Sequence, residues 1–366
     1  MDFATSGFLD FQIRILRRAV SSVGAESTLE PLRLARQIAR SMMHRFAVAL
    51  VAVVFWASGR AAASAAPARG REPDYVRVTE WAKWQGLQAR WLKRDESFQL
   101  TNAAARLQFT VDSREARYNG LQLWLLYPLV SRGNEIFISQ LDIDTTFRPL
   151  LAAPRNDPGK KVRTICLDAG HGGRDPGNQA GGRQEKDLTL RLASELRDQL
   201  QKAGFKVVFS RTSDRFIELS ERADLARKRG ADLFVSLHFN GTGGDRSAAQ
   251  GSEVYAMTPA GAASTNARGE GAGSGAYAGN RNNAKNLLLA YQIQKSLVRG
   301  LNSEDRGVRR ARFEVLREAT MPAVLIEAGF LSHPVEGKKI FTAEYRKQMA
   351  RAIVEGIQSY KKVVER

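Results

Sequence analysis

The chain has 366 residues, 43% hydrophobic and 26% charged, which suits a globular protein with a real core and leaves room for two domains. Lys and Arg number 56 against 38 acids, a formal net charge of +18, so a polyanionic partner is expected. No zinc-finger spacing, RNA-recognition signature or basic run interleaved with aromatics is present, which sets nucleic acid behind anionic lipid and cell-wall polymer; the single cysteine, Cys166, excludes an intramolecular disulfide and a cysteine-type zinc knuckle.

Residues 46–57 (FAVALVAVVFWA) are twelve apolar positions without a charge, too few to span a bilayer comfortably. Arg40, His44 and Arg45 precede them, and Ala63-Ser64-Ala65 follows as a small-x-small cleavage site. This reads as a signal peptide cut after Ala65, giving an exported protein of the periplasm, cell envelope or exterior, with no stable membrane span after cleavage. Two explanations stay open for the 41 residues before Met42: a start at Met42 or Met43, or a basic amphipathic extension. Residues 1–65 are therefore set apart from the fold.

Residues 66–75 read as a Pro/Arg/Gly-rich linker. Residues 76–151 form a small β-rich α+β accessory domain, with strand-like alternation at 96–100, 105–111 and 121–125 and a hairpin signal at Asn119-Gly120. Trp81, Trp84 and Trp91 are expected in its core, with a glycan-stacking platform as the alternative. Residues 152–161 are a second linker.

From 162 to 366 the pattern becomes α/β, a mostly parallel sheet flanked by helices. Strands are expected at 162–167, 206–210, 232–237 and 323–326, and helices at 187–205, 218–229, 283–301 and 343–361. Leu188, Leu192, Leu196 and Leu200 recur every four residues on one helix face. The Gly-, Ala- and Ser-rich stretch 258–280 reads as a flexible surface insertion.

His171 follows the first of these strands, His238 ends a later one, and Glu327 ends the last. In open parallel sheets ligands bind outside the carboxyl ends of strands, so these residues, remote in sequence, should meet there, and Glu185 at a helix entry faces the same edge. Two His and a Glu with an open fourth position are a familiar catalytic zinc set. Taken singly, each has a plainer role: a hydrogen-bonded strand-end His, a Glu favoured by a helix N-terminus, or a Glu paired with an arginine. Asp168-Ala-Gly-His-Gly-Gly lacks the Gly-Lys-Ser/Thr end of a phosphate loop, the glycines at 269–275 have no strand–helix context, and Ser236 has no nucleophile elbow.

Residues 164–360 resemble the zinc-dependent N-acetylmuramoyl-L-alanine amidase family of the autolysin type. The blocks that carry the likeness are Leu167-Asp-Ala-Gly-His-Gly-Gly-Arg-Asp-Pro-Gly, Glu185-Lys-Asp, Arg211-Thr-Ser-Asp, Leu219-Ser-Glu-Arg, Ser236-Leu-His-Phe-Asn, Arg306-Gly-Val with Val315-Leu-Arg, and Pro322-Ala-Val-Leu-Ile-Glu-Ala-Gly-Phe-Leu-Ser. The resemblance implies that His171, Glu185 and His238 bind Zn²⁺, that Glu327 is the catalytic carboxylate, and that the substrate is peptidoglycan. Arg211, Asn240 and Arg317 are second-tier candidates for orienting or binding substrate, with structural ion pairs as the alternative. His333 stands where an asparagine commonly occurs and is expected in an exposed loop. The stretch 258–280 lies where some relatives carry a helix over the site, and its glycines predict no rigid covering helix here.

Residues 82–150 also loosely resemble the N-terminal module of copper amine oxidases, implying neither copper nor amine oxidation. Competing readings are another zinc peptidase or deacetylase of the wall, or a catalytically silent wall-binding protein. An envelope regulator protein is a conceivable partner whose identity the sequence does not carry.

Overall fold

The computed structural model describes residues 73–242, 249–266, 273 and 275–366. The hydrophobic stretch 46–57, the expected cleavage point and most of the first linker lie outside these residues. Among the described residues no helix is long and apolar enough to cross a membrane.

The chain starts with β1 (Tyr75–Arg77) and α1 (Val78–Trp84), then runs an antiparallel meander: β2 (Gln88–Lys93), β3 (Ser97–Thr101), β4 (Arg106–Thr110), β5 (Glu115–Tyr118) and β6 (Leu121–Trp124). In β4, Leu107 and Phe109 are buried while Arg106 and Thr110 face out, the period-two pattern of a half-buried strand. The β5–β6 turn places Asn119 at φ 50° and Gly120 at φ 86°. Two successive left-handed residues are the geometry for which Asn-Gly is best suited. Strands β7 (Val130–Arg132) and β8 (Glu135–Ser139) join β1 in a separate three-stranded sheet. The tryptophans divide: Trp81 is buried against Phe147, Trp91 packs edge-on to Phe98, and Trp84 is 72% exposed.

The remaining strands are β9 (Thr164–Ala169), the short pair β10 (Gln179–Ala180) and β11 (Arg183–Gln184), β12 (Lys206–Phe209), β13 (Leu233–Asn240), β14 (Ser252–Met257), β15 (Asp305–Ala311) and β16 (Ala323–Phe330). The longer helices are α2 (Glu185–Lys202), α3 (Leu219–Lys228), α4 (Asn283–Leu301) and, after the short α5 (Glu314–Arg317) and α6 (Glu336–Ile340), α7 (Ala343–Val364). Leu188, Leu192, Leu196 and Leu200 of α2 are all buried, as their spacing requires. Strands β12, β9, β13 and β16 run parallel; β14 pairs antiparallel with β16 and parallel with β15. Each strand splits its side chains between two apolar layers. Ile165, Leu167, Val324 and Ile326 enter the larger core with residues of α2, α4 and α7. Cys166, Phe234, Ala323 and Leu325 enter a smaller one with Ala223, Ala226, Val315 and Leu316 of α3 and α5.

The meander continues this sheet, because β15 also pairs with β6 at Val308 and Leu123, making eleven strands in the order β12-β9-β13-β16-β14-β15-β6-β5-β4-β3-β2. Around the seam the Trp124 indole donates to the Arg306 carbonyl at 2.9 Å, and Asp305 accepts the Gln122 amide at 2.7 Å. Arg310, wholly buried, donates to the Thr145 and Met257 carbonyls, and burial lowers its pKa to about 10. The described part of 258–280 departs from a surface insertion: Thr258, Ala262, Ser264 and Thr265 are buried, and the Thr265 hydroxyl accepts the Arg310 amide at 2.7 Å. Glycine composition speaks to backbone freedom and not to what packs over it. Its last described residues form a short 3₁₀ turn, Ala278–Asn282, and residues 267–272 and 274 lie outside the described set.

Candidate metal centre

Strand β9 delivers the chain to Gly170, where a Cβ would sit 2.3 Å from the His238 ring, so only glycine fits. His171 follows at φ 61°, an uncommon region for a residue with a side chain. Two buried arginines hold this backbone. Arg211 donates to the Ala169, Gly170 and Lys186 carbonyls, each at 2.8 Å. Arg222 donates to the carbonyls of Ala169 (3.0 Å) and His171 (2.9 Å) and pairs with buried Asp168 at 2.8 Å. Asp168 also accepts from Ser210 (2.6 Å) and Ser236 (2.7 Å). Burial works to raise Asp168, but Arg222 and the two hydroxyls outweigh it and keep the carboxyl below its usual range.

This scaffold brings together three of the residues singled out in the sequence. His171 Nε2 and His238 Nδ1 each lie 3.1 Å from Glu185 Oε1 and 3.2 Å from one another. Four donors held tetrahedrally at zinc–ligand distances sit roughly 3.3 Å apart, so this triangle matches one face of such a shell. The group could hold a metal ion. The orienting bonds support it. His171 Nδ1 lies 2.7 Å from Asp175 Oδ2, so the other ring nitrogen can present its lone pair to a cation. Glu185 is buried at the first residue of α2, and its Oε1 accepts the Phe239 amide while Oε2 accepts the Asn178 backbone and side-chain N–H groups. Burial opposes charge on Glu185, yet its bonds to the two imidazoles prevail and hold the carboxyl far below the ordinary range. Gly177, at φ 64°, closes against both: a Cβ there would lie 2.6 Å from His171 and 2.7 Å from Glu185.

Glu327, in β16, is the cross-strand neighbour of His238 in β13 and of Glu253 in β14. Its Oε2 is buried without a hydrogen-bond partner among the described residues. Burial first, then the Glu185 and Glu253 charges, push its carboxyl well above the usual range. Glu253 is itself satisfied by Asn240 (2.9 Å), the Tyr255 hydroxyl (2.9 Å) and Arg309 (2.8 Å).

The second-tier candidates separate. Arg211 is buried in carbonyl bonds and offers no charge to an outside carboxylate. Asn240 reaches the site's edge through Glu253. Arg317 lies 5.3 Å from the Tyr277 ring and 3.7 Å from Glu314, and among the described residues it makes no bond to the His171–Glu185–His238 group. His333 Nδ1 accepts the backbone N–H of Val335 and Glu336, bracing the turn into α6. Sequence reasoning missed Asp175, Asn178, Arg222 and Glu253. Asp175 carried a usable signal, four residues after His171 inside the same glycine-rich loop, and Arg222 closes the block Leu219-Ser-Glu-Arg.

Residues 165–359 match the family described as N-acetylmuramoyl-L-alanine amidase. The chain is 35% identical over 215 residues to the uncharacterized protein YqiI of Bacillus subtilis, covering 59% of this chain and 91% of that protein. It is 36% identical over 232 residues to the N-acetylmuramoyl-L-alanine amidase AmiC of Neisseria meningitidis serogroup B, covering 57% of this chain but only 55% of that protein. With the amidase AmiA of Escherichia coli K12 the identity is 33% over 225 residues, covering 55% of this chain and 76% of the relative.

Proposed function

We propose, from the premise that this chain belongs to the N-acetylmuramoyl-L-alanine amidase family, that it hydrolyses the amide between the muramic acid lactyl group and L-alanine in peptidoglycan, with zinc held by His171, Glu185 and His238. The observation that carries the reading is the convergence of those three donors within hydrogen-bonding distance of one another, beside Glu327, whose Oε2 is buried without a hydrogen-bond partner among the described residues. The bound zinc would supply a Lewis acid for the lactyl carbonyl and a lowered pKa for the attacking water.

The chain's own residues do the rest. Asp175 fixes the tautomer and angle of His171, and Asn178 and the Phe239 amide hold both Glu185 oxygens in place. Glu327 accepts the proton of the attacking water and returns it to the departing alanine nitrogen. The same carboxylate serves both steps because its pKa is lifted by burial and by the neighbouring Glu185 charge. A raised pKa makes Glu327 a stronger base toward the water and lets it hold the proton until the amide nitrogen takes it. An amine leaves poorly without that proton, so a carboxylate that only accepted would not suffice.

The reading also takes the chain to be exported, with its +18 charge favouring retention on wall phosphates and carboxylates. The test compares the protein and Glu327→Gln on purified sacculi with zinc, by mass spectrometry of the released material. Peptides with free L-alanine amino ends and intact glycan strands are expected, with the variant slower by about 10²–10⁴-fold. Cuts within the peptide stem would point to a peptidase, deacetylated glycan to a deacetylase, and no product to a silent wall binder.

A further inference from the structure

At the opposite edge of the sheet from His171 and His238, where β9, β13 and β16 begin, lies a cavity of about 200 Å³. Its wall is built from the second linker together with α3, α4, α7 and the turn before β16. Four cations line it, Lys160, Lys161, Arg227 and Lys285, against one carboxylate, Asp232. One oxygen of Asp232 is committed to the Arg163 and Thr164 backbone amides, at 2.8 and 2.9 Å. Arg227 pairs with Asp224 on its own helix, and Lys161 stands 3.7 Å from Glu365. Lys160 and Lys285 have no ion-pair partner among the described residues. Lys285 donates to the Asn156 side-chain carbonyl at 2.8 Å, and its pKa is depressed by burial and by Lys160, with the Asp157 charge acting the other way.

A second observation points to a ligand. Tyr360 lines the same cavity, its side chain is fully buried, and its hydroxyl has no hydrogen-bond partner among the described residues. A buried unpartnered O–H is unfavourable and uncommon. The residue borders a concave surface with a surplus of ammonium groups, and a single acceptor of negative charge would satisfy hydroxyl and lysines together.

We infer that this cavity is a binding site for a phosphate group, held by Lys285 and Lys160 and by the Tyr360 hydroxyl. Lysine ammoniums bind phosphate as point charges, whereas a carboxylate site is better made with an inward arginine fork, and the one arginine here is already paired. Such a ligand would tie the linker to α4 and α7. The linker is already docked on that helix, since the Asn156 amide donates to the Val364 carbonyl at 2.7 Å and the Val162 amide to Glu365 at 2.6 Å. The inference is independent of the amidase reading, because none of these residues belongs to the metal centre.

The test is thermal unfolding of the full chain in increasing inorganic phosphate, with chloride at matched ionic strength as control and glycerol 3-phosphate as a second arm. A saturable rise in Tm with phosphate, absent with chloride, is expected. A preference for inorganic phosphate marks a free-ion site; equal or tighter binding of glycerol 3-phosphate marks a site for an esterified phosphate. Lys285→Met and Tyr360→Phe should each weaken the apparent affinity about tenfold, the loss expected for one charge-assisted hydrogen bond. Tyr360→Phe removes only an unpartnered hydroxyl, so without phosphate it should unfold no earlier than the parent. Equal responses to phosphate and chloride, or unchanged phosphate affinity in both variants, would overturn the assignment. If Lys285→Met does not fold, Tyr360→Phe decides alone.

Discussion

Replacing Arg222 by methionine tests the scaffold beneath the metal centre. Its guanidinium and the Asp168 carboxylate are 2% and 0% exposed and 2.8 Å apart, so water cannot take over either charge. Removing one partner of such a pair costs about 3–5 kcal/mol, because the other charge stays buried. Two details set the figure within that range. The Ser210 and Ser236 hydroxyls still donate to Asp168, which moderates the loss, and the Ala169 carbonyl keeps Arg211, but the Ile217 and His171 carbonyls lose the Arg222 donor. A loss of about 3–4 kcal/mol at pH 7 is expected from urea unfolding followed by circular dichroism. The pH dependence gives a second reading. In the parent, Asp168 has a depressed pKa, so its contribution is fully present above the unfolded value of about 3.9 and is lost only as pH falls through the lower folded value. In the variant that carboxyl is no longer held down and takes a proton earlier. The gap between the two proteins should therefore narrow as the pH is lowered from 7 toward 4. A loss below about 1 kcal/mol, or a gap constant across that range, would refute the buried-pair argument.

Two further substitutions or modifications probe the site and the core. Asp175→Asn should weaken metal affinity about tenfold, at the lower end for an outer partner of a ligating histidine because Asp175 is 40% exposed; chelator competition measures it, and unchanged affinity would show that Asp175 does not orient His171. Cys166 is fully buried, and burial with the Asp168 charge pushes its thiol up to about 12, so iodoacetamide at pH 8 should leave it unlabelled until urea unfolds the chain. Rapid labelling of the native protein would contradict its place in the sheet.

Much of the α/β half could be read from spacing alone. The leucines of α2 and the apolar runs of β9 and β13 state their burial directly, since each element hides a simple periodic face. The three metal-binding candidates were legible for the same reason: strand ends and a helix entry fix where a side chain goes once the sheet is parallel. What spacing does not carry is which edge strand finds which neighbour. The join between β15 and β6 brings together Val308 and Leu123, 185 positions apart, and nothing local marks either as a seam. Glu253 was invisible likewise. It lies on a strand buried along its whole length, next to Glu327 only because β14 runs antiparallel to β16. Arg211 shows the converse limit: a charged residue in a loop invites a substrate role, and only the geometry reveals it spent on backbone carbonyls.

The most direct measurement is metal content per chain in the purified protein, Glu327→Gln and His238→Ala after equilibration with limiting zinc. One equivalent should be found in the first two and far less in the third, since His238 supplies one of three donors and Glu327 supplies none. A full equivalent in His238→Ala, or its loss in Glu327→Gln, would contradict the division between metal-holding and proton-moving residues on which the account stands.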